Sequence, residues 1–153
     1  MTKFAEGIYS VAIALWVGGL FAIGYLAAPV LFAQLSDRML AGNLAGAMFT
    51  IVAWAGMGCG GYLILYVLVR RGWRAFKNGV FWLALVMVGL TVAGHFGVQP
   101  ILAQLKADAL PRQVMESALR DRFATWHGVS SVLYLVQSLL GLWLVLIQEK
   151  GKA

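Results

Sequence analysis

His95 and His127 are the two imidazoles of a 153-residue chain, and both sit inside long apolar stretches. Neutral imidazole is a good ligand for haem iron, copper or zinc. Each histidine has polar company at helical spacing. His127, Ser131, Tyr134 and Ser138 recur at i, i+4, i+7 and i+11, with Ser130 alongside. Thr91, His95 and Gln99 recur at i, i+4 and i+8. Two such stripes on consecutive helices predict a buried polar seam.

The seam has two readings. Interhelical hydrogen bonds, at about 0.6 kcal/mol each in measured membrane cases, would specify packing more than they stabilise it. Alternatively, His95 and His127 bind a metal, a haem or a small ligand, or line a substrate path. Depth bears on the choice. His127 lies four residues past Phe123, about 6 Å deep, while His95 lies ten residues before Leu105, about 15 Å deep. That mismatch disfavours one small ion shared by both rings. The expectation is therefore that His127 contacts neighbouring helices near the surface, with ligand binding the lesser case. Cys59, Met57 and Met87 would make a soft copper(I) site, but they lie nearer the bilayer centre, and Met there usually fills space. With no nucleophile–base pair and no carboxylate pair in view, an enzyme ranks behind a binding or assembly protein.

The elements that hold these residues follow from composition. The chain is 61% hydrophobic and only 12% charged, against about 25% charged in an ordinary soluble protein. No Asp, Glu, Lys or Arg occurs in 7–35, 47–69, 78–105 or 123–148. Crossing a hydrocarbon core takes about 20 apolar residues. The fold expected is an all-α, integral membrane four-helix bundle in one domain, with spans of about 7–32, 47–69, 79–104 and 123–148. The first run is too long for the core of a signal peptide and is expected to be retained. The net charge of +6 sits in membrane-flanking loops, so it orients helices rather than reading nucleic acid. With no ionised side chain in any span, proton relays built on Asp or Glu are not expected there.

Shifted by 70 residues, Leu15–Leu35 falls on Leu85–Leu105 with seven of 21 pairs identical. This predicts two tandem helix hairpins, a parallel repeat. It aligns Tyr25 with His95, while Pro29 and Pro100 fall one position out of register. Both prolines sit near helix ends, where a kink is tolerated. Ser36-Asp37-Arg38 reads as a helix start. In Lys106–Arg122, Pro111 and the stripe Val114, Met115, Ala118 and Leu119 predict a short interfacial helix. The middle connector around Arg70–Gly79 is short, so the second and third helices should be antiparallel neighbours.

Seven Lys and Arg residues flank the termini and middle connector, against five on the other side. Four crowd the short middle loop, which places both termini in the cytoplasm of a cell, or bacterial inner, membrane. Trp73, Trp82 and Trp143 then form the inner aromatic belt. Gly56-x-x-x-Gly60 and Gly89-x-x-x-Ala93-x-x-x-Gly97 are expected to pack helices within one chain, dimerisation being the alternative.

Phe123-x-x-Trp126-His127-Gly128-x-Ser130-Ser131 at the head of the last helix resembles the family named after transmembrane protein 205. Bacterial relatives of that family carry a domain-of-unknown-function label. Ala14–Gly19 followed by Pro29, and Gln99-Pro100 late in the third helix, are also similar to it. The resemblance implies a four-helix membrane protein with His127, Gly128, Ser130 and Ser131 as motif positions, and it implies no settled activity. The architecture is similar, too, to small bundles in which histidines hold haem or face copper, an analogy of fold alone. The candidate residues are thus His95, His127, Ser130, Ser131, Tyr134, Tyr25 and Gln99. They belong to a binding or transport-related protein or to an assembly module. Its partners would be the bilayer and a second copy or another membrane protein.

Overall fold

The computed structural model describes residues 3–110 and 112–152. Four long apolar helices dominate: α1 (Lys3–Gln34), α2 (Arg38–Arg71), α3 (Gly79–Ala109) and α4 (Arg120–Ile147), followed by the short α5 (Glu149–Lys152). Among the described residues there are no strands. The protein is an all-α chain with four helices long and apolar enough to cross a membrane. At 1.5 Å per residue α3 is about 46 Å long, so its ends project beyond a core of about 30 Å.

Local chemistry sets the boundaries. Asp37 caps α2 by accepting from the backbone N–H of Met39 (2.8 Å) and Leu40 (3.1 Å). Gly72, at φ 51°, ends it in a conformation that costs other residues a Cβ clash. A 3₁₀ turn over Gly72–Lys77 leads to Asn78, whose side chain accepts from Val80 N–H at 2.8 Å. This tight link makes α2 and α3 antiparallel neighbours. The helices form a ring in which α1 and α3 each pack on both α2 and α4.

Two π-helical segments interrupt the pattern, Ala22–Ala27 in α1 and Ala93–Val98 in α3. Each stands just before a proline, Pro29 or Pro100. Proline offers no N–H to the carbonyl four residues earlier and its ring crowds that carbonyl, so the preceding turn widens. The segments begin and end 71 residues apart, and so do the prolines. In that register Tyr25 pairs with Phe96 and His95 with Gly24, which differs from the register of 70.

The core fills the half nearest the termini. Trp16, 1% exposed, lies in a notch on α2 made by Gly56 and Gly60; a Cβ at Gly60 would stand 2.7 Å from the indole. Tyr9, Leu63, Tyr66, Met87 and Leu144 complete it. Polar ties close that end: Tyr9 Oη donates to Gln148 O (2.9 Å), Tyr62 Oη to Ala5 O (3.0 Å), and Arg70 pairs with Glu6 (2.8 Å). Trp73, Trp82 and Trp143 are all exposed there.

Two expectations need correction. Gly56-x-x-x-Gly60 does pack inside the chain, but Gly89, Ala93 and Gly97 face outward, with open space around both glycines. Their side of α3 is opposite the one that buries Phe81, Ala84 and Met87. The connector after α3 is also not a helix. α3 continues to Ala109, one 3₁₀ turn spans Val114–Glu116, and Ser117 Oγ accepts from Leu119 N–H (3.1 Å) ahead of α4. Met115 is 48% exposed and Ala118 is exposed too, and a stripe buried only in part does not sustain so short a helix. Pro111 lies outside the described residues.

Candidate functional site

Packing loosens away from the termini. No residue of α4 between Arg120 and Val136 is buried, and there all four helices enclose a cavity of about 80 Å³. Trp16, Leu20 and Gln137 form its buried floor. Phe49, Thr91, His95, Gln99, Ser130 and Tyr134 are among its half-buried walls.

Gln137 is the best-defined polar group of the site. It is 5% exposed, and its Nε2 donates to Thr91 Oγ1 at 3.0 Å, tying α4 to α3. The Thr91 hydroxyl spends its own proton on Met87 O, one turn back, at 2.9 Å. Thr91 Oγ1 can then only accept, which fixes the amide with its nitrogen toward Thr91. Gln137 Oε1 remains buried with no hydrogen-bond partner among the described residues. His95 Nδ1 is in the same condition. Its ring is held edge-on by Trp54 (5.7 Å) and by Phe96 (4.7 Å). Polar atoms left this way in an apolar interior are rare and costly.

Tyr134 closes one side. Its hydroxyl donates to Leu20 O at 2.6 Å, and its ring packs on Phe49 (5.1 Å) and Tyr25 (6.1 Å). Gly24 is required beneath it, because a Cβ there would collide with the Tyr134 ring. Tyr25 is 43% exposed and supports Tyr134 from outside the cavity, stacked on Phe21 at 5.2 Å.

Of the residues singled out from sequence, His95, Gln99, Ser130 and Tyr134 meet at this cavity. His127, Gly128 and Ser131 do not; all three are exposed. His127 lies flat on Phe123, centroids 5.8 Å apart and planes at 10°, rather than against another helix. On α4 the polar residues that line the cavity are Ser130, Tyr134 and Gln137; of the expected His127, Ser131, Tyr134 and Ser138, Tyr134 is half-buried and Ser138 is 1% exposed, while His127 and Ser131 lie on the surface. Ser131 donates to the carbonyl one turn back, His127 O (2.9 Å), and so needs no interior partner; the buried Ser138 is satisfied in the same way by Tyr134 O (2.8 Å). A glutamine amide in an apolar helix has no such outlet. That was the signal for Gln137, the lone amide of the charge-free part of α4.

The donor set argues against the metal and haem alternatives. One histidine among amides and hydroxyls is a poor set for zinc or copper. Among the described residues no three His, Cys, Asp or Glu side chains gather to hold an ion. A haem would also need an axial ligand, and His95 is the one imidazole that lines the cavity; its volume of about 80 Å³ points to a smaller occupant. A group of a few non-hydrogen atoms suits that space.

No curated protein and no solved structure matches the chain. A domain of unknown function, DUF4149, matches residues 11–111, a stretch that carries His95 and Gln99 and stops short of α4. That match covers about two thirds of the sequence, and the chain belongs to the DUF4149 family.

Proposed function

We propose that this chain is a binding protein of the cell membrane, transport-related, whose cavity takes a small polar ligand that donates a hydrogen bond. The carrying observation is that two residues lining one cavity, Gln137 and His95, each hold a buried polar atom, Oε1 and Nδ1, with no partner among the described residues. A hydroxyl answers both, since its one proton is donated to the amide oxygen while its lone pair accepts from the imidazole in the tautomer that carries its proton on Nδ1. The test is thermal unfolding of purified protein with ethanol, phenol and acetamide, compared between wild type and Gln137→Leu. A stabilising shift lost in the variant supports the reading; identical shifts in both proteins contradict it.

A second reading, an assembly module, draws on the outward face of Gly89, Ala93 and Gly97, where a second copy or another membrane protein would approach closely. Cysteine cross-linking at Ala93 tests it, and the absence of any linked species in native membranes would remove it. The 71-residue offset of the π-helical segments and prolines supports the tandem repeat. The crowded basic loop at Arg70, Arg71, Arg74 and Lys77 supports cytoplasmic termini. The kinship with transmembrane protein 205-like proteins draws on Ala14–Gly19 with Pro29 and on Gln99-Pro100, inside the matched residues, and on His127-Gly128-x-Ser130-Ser131, beyond them.

A further inference from the structure

We infer that the ligand reaches this cavity from the bilayer, and that it is a lipophilic alcohol or phenol: a neutral hydroxyl head on an apolar body that stays among the acyl chains. The inference rests on the preceding reading of the cavity as a ligand site and adds the ligand's class and route.

Three observations combine. Every residue lining the cavity falls inside the four stretches without an ionised side chain, 7–35, 47–69, 78–105 and 123–148. Its floor is buried while its walls are half-buried, so the cavity opens at a depth where the surroundings are hydrocarbon. The terminal side beyond it is filled by the core around Trp16 and Met87; toward the other end Leu102, Leu105 and Ala45 are buried on α3 and α2.

The wall chemistry selects the head group. No carboxylate stands in any span to neutralise an ammonium, and no Lys or Arg stands there to neutralise an anion, so a charged head would pay its desolvation uncompensated. A ketone or ether only accepts hydrogen bonds and would leave Gln137 Oε1 unmet. A hydroxyl suits both Gln137 Oε1 and His95 Nδ1. Room for only a few non-hydrogen atoms means the rest of the molecule lies outside, against the apolar rim that Phe49 and Leu133 provide.

The experiment uses the full chain in lipid nanodiscs with two photoreactive probes, a diazirine-bearing ten-carbon alcohol and the hydrocarbon of equal length. The alcohol is expected to label cavity residues such as Leu133 and Val52 about tenfold more than the hydrocarbon does, as expected for one or two added hydrogen bonds. Unlabelled decanol should compete, and Gln137→Leu should erase the preference. Gln137→Met serves if the leucine variant does not fold. Equal labelling by both probes overturns the inference. So does labelling confined to the outer surface. If decanol fails while ethanol still gives a Gln137-dependent thermal shift, the route through the bilayer falls and the ligand site stands. If neither acts through Gln137, both fall.

Discussion

Gln137→Leu separates a ligand site from a packing contact because the two roles give stability changes of opposite sign. The substitution removes the Nε2 bond to Thr91, an interhelical hydrogen bond worth about 0.6 kcal/mol. Thr91 keeps its own donor bond to Met87 O. The substitution also removes Oε1, a buried acceptor with no partner among the described residues, and such a group costs about 1–3 kcal/mol. Leucine is close to glutamine in size and meets an apolar floor with Leu20 and Trp16. The net expectation is a gain of about 1 kcal/mol, with ligand response lost, the trade found where a site is built at the expense of stability. Equilibrium unfolding in mixed micelles measures it. A loss of about 1 kcal/mol or more would mean that the amide is fully satisfied and serves packing, and the reasoning would fail.

Tyr134→Phe should destabilise by about 1 kcal/mol through loss of the bond to Leu20 O; an unchanged unfolding midpoint would show that this carbonyl has another donor. Gly60→Ala should lose about 2 kcal/mol, because its Cβ meets Trp16 and Val88. Gly58→Ala, with open space around it, should be neutral or gain up to about 1 kcal/mol, and equal losses at both positions would refute the indole notch. Asp37→Ala should cost about 1 kcal/mol and speed amide exchange at Met39 and Leu40, whose N–H groups it caps; unaltered exchange there would count against the cap.

The four spans were legible because a bilayer tolerates so few ionised groups that their absence from four stretches is decisive. Asp37 was legible for an equally local reason, the short acceptor ahead of an apolar run. The cavity was half legible. His95, Gln99, Ser130 and Tyr134 follow from the polar stripes, and Ser138 is buried as its stripe implies, but Gln137 was missed, and Ser131, which looks like a seam residue, is exposed and bonds its own helix. His127 was misjudged because a polar motif at a helix head was given an interior role, whereas the outer half of α4 buries nothing. The π-helical segments shift register by a residue, which spacing at 3.6 per turn does not anticipate. They explain why the prolines looked misaligned.

The chain's two histidines make one measurement especially direct. Histidine-selective ¹⁵N labelling of the protein in lipid gives signals from His95 and His127 alone. Titration with decanol should shift the His95 Nδ1 resonance and leave His127 in place, since His95 lines the cavity and His127 lies exposed on Phe123. A His95 signal unmoved at saturating decanol, or a His127 signal that moves with it by the same amount, would contradict the site.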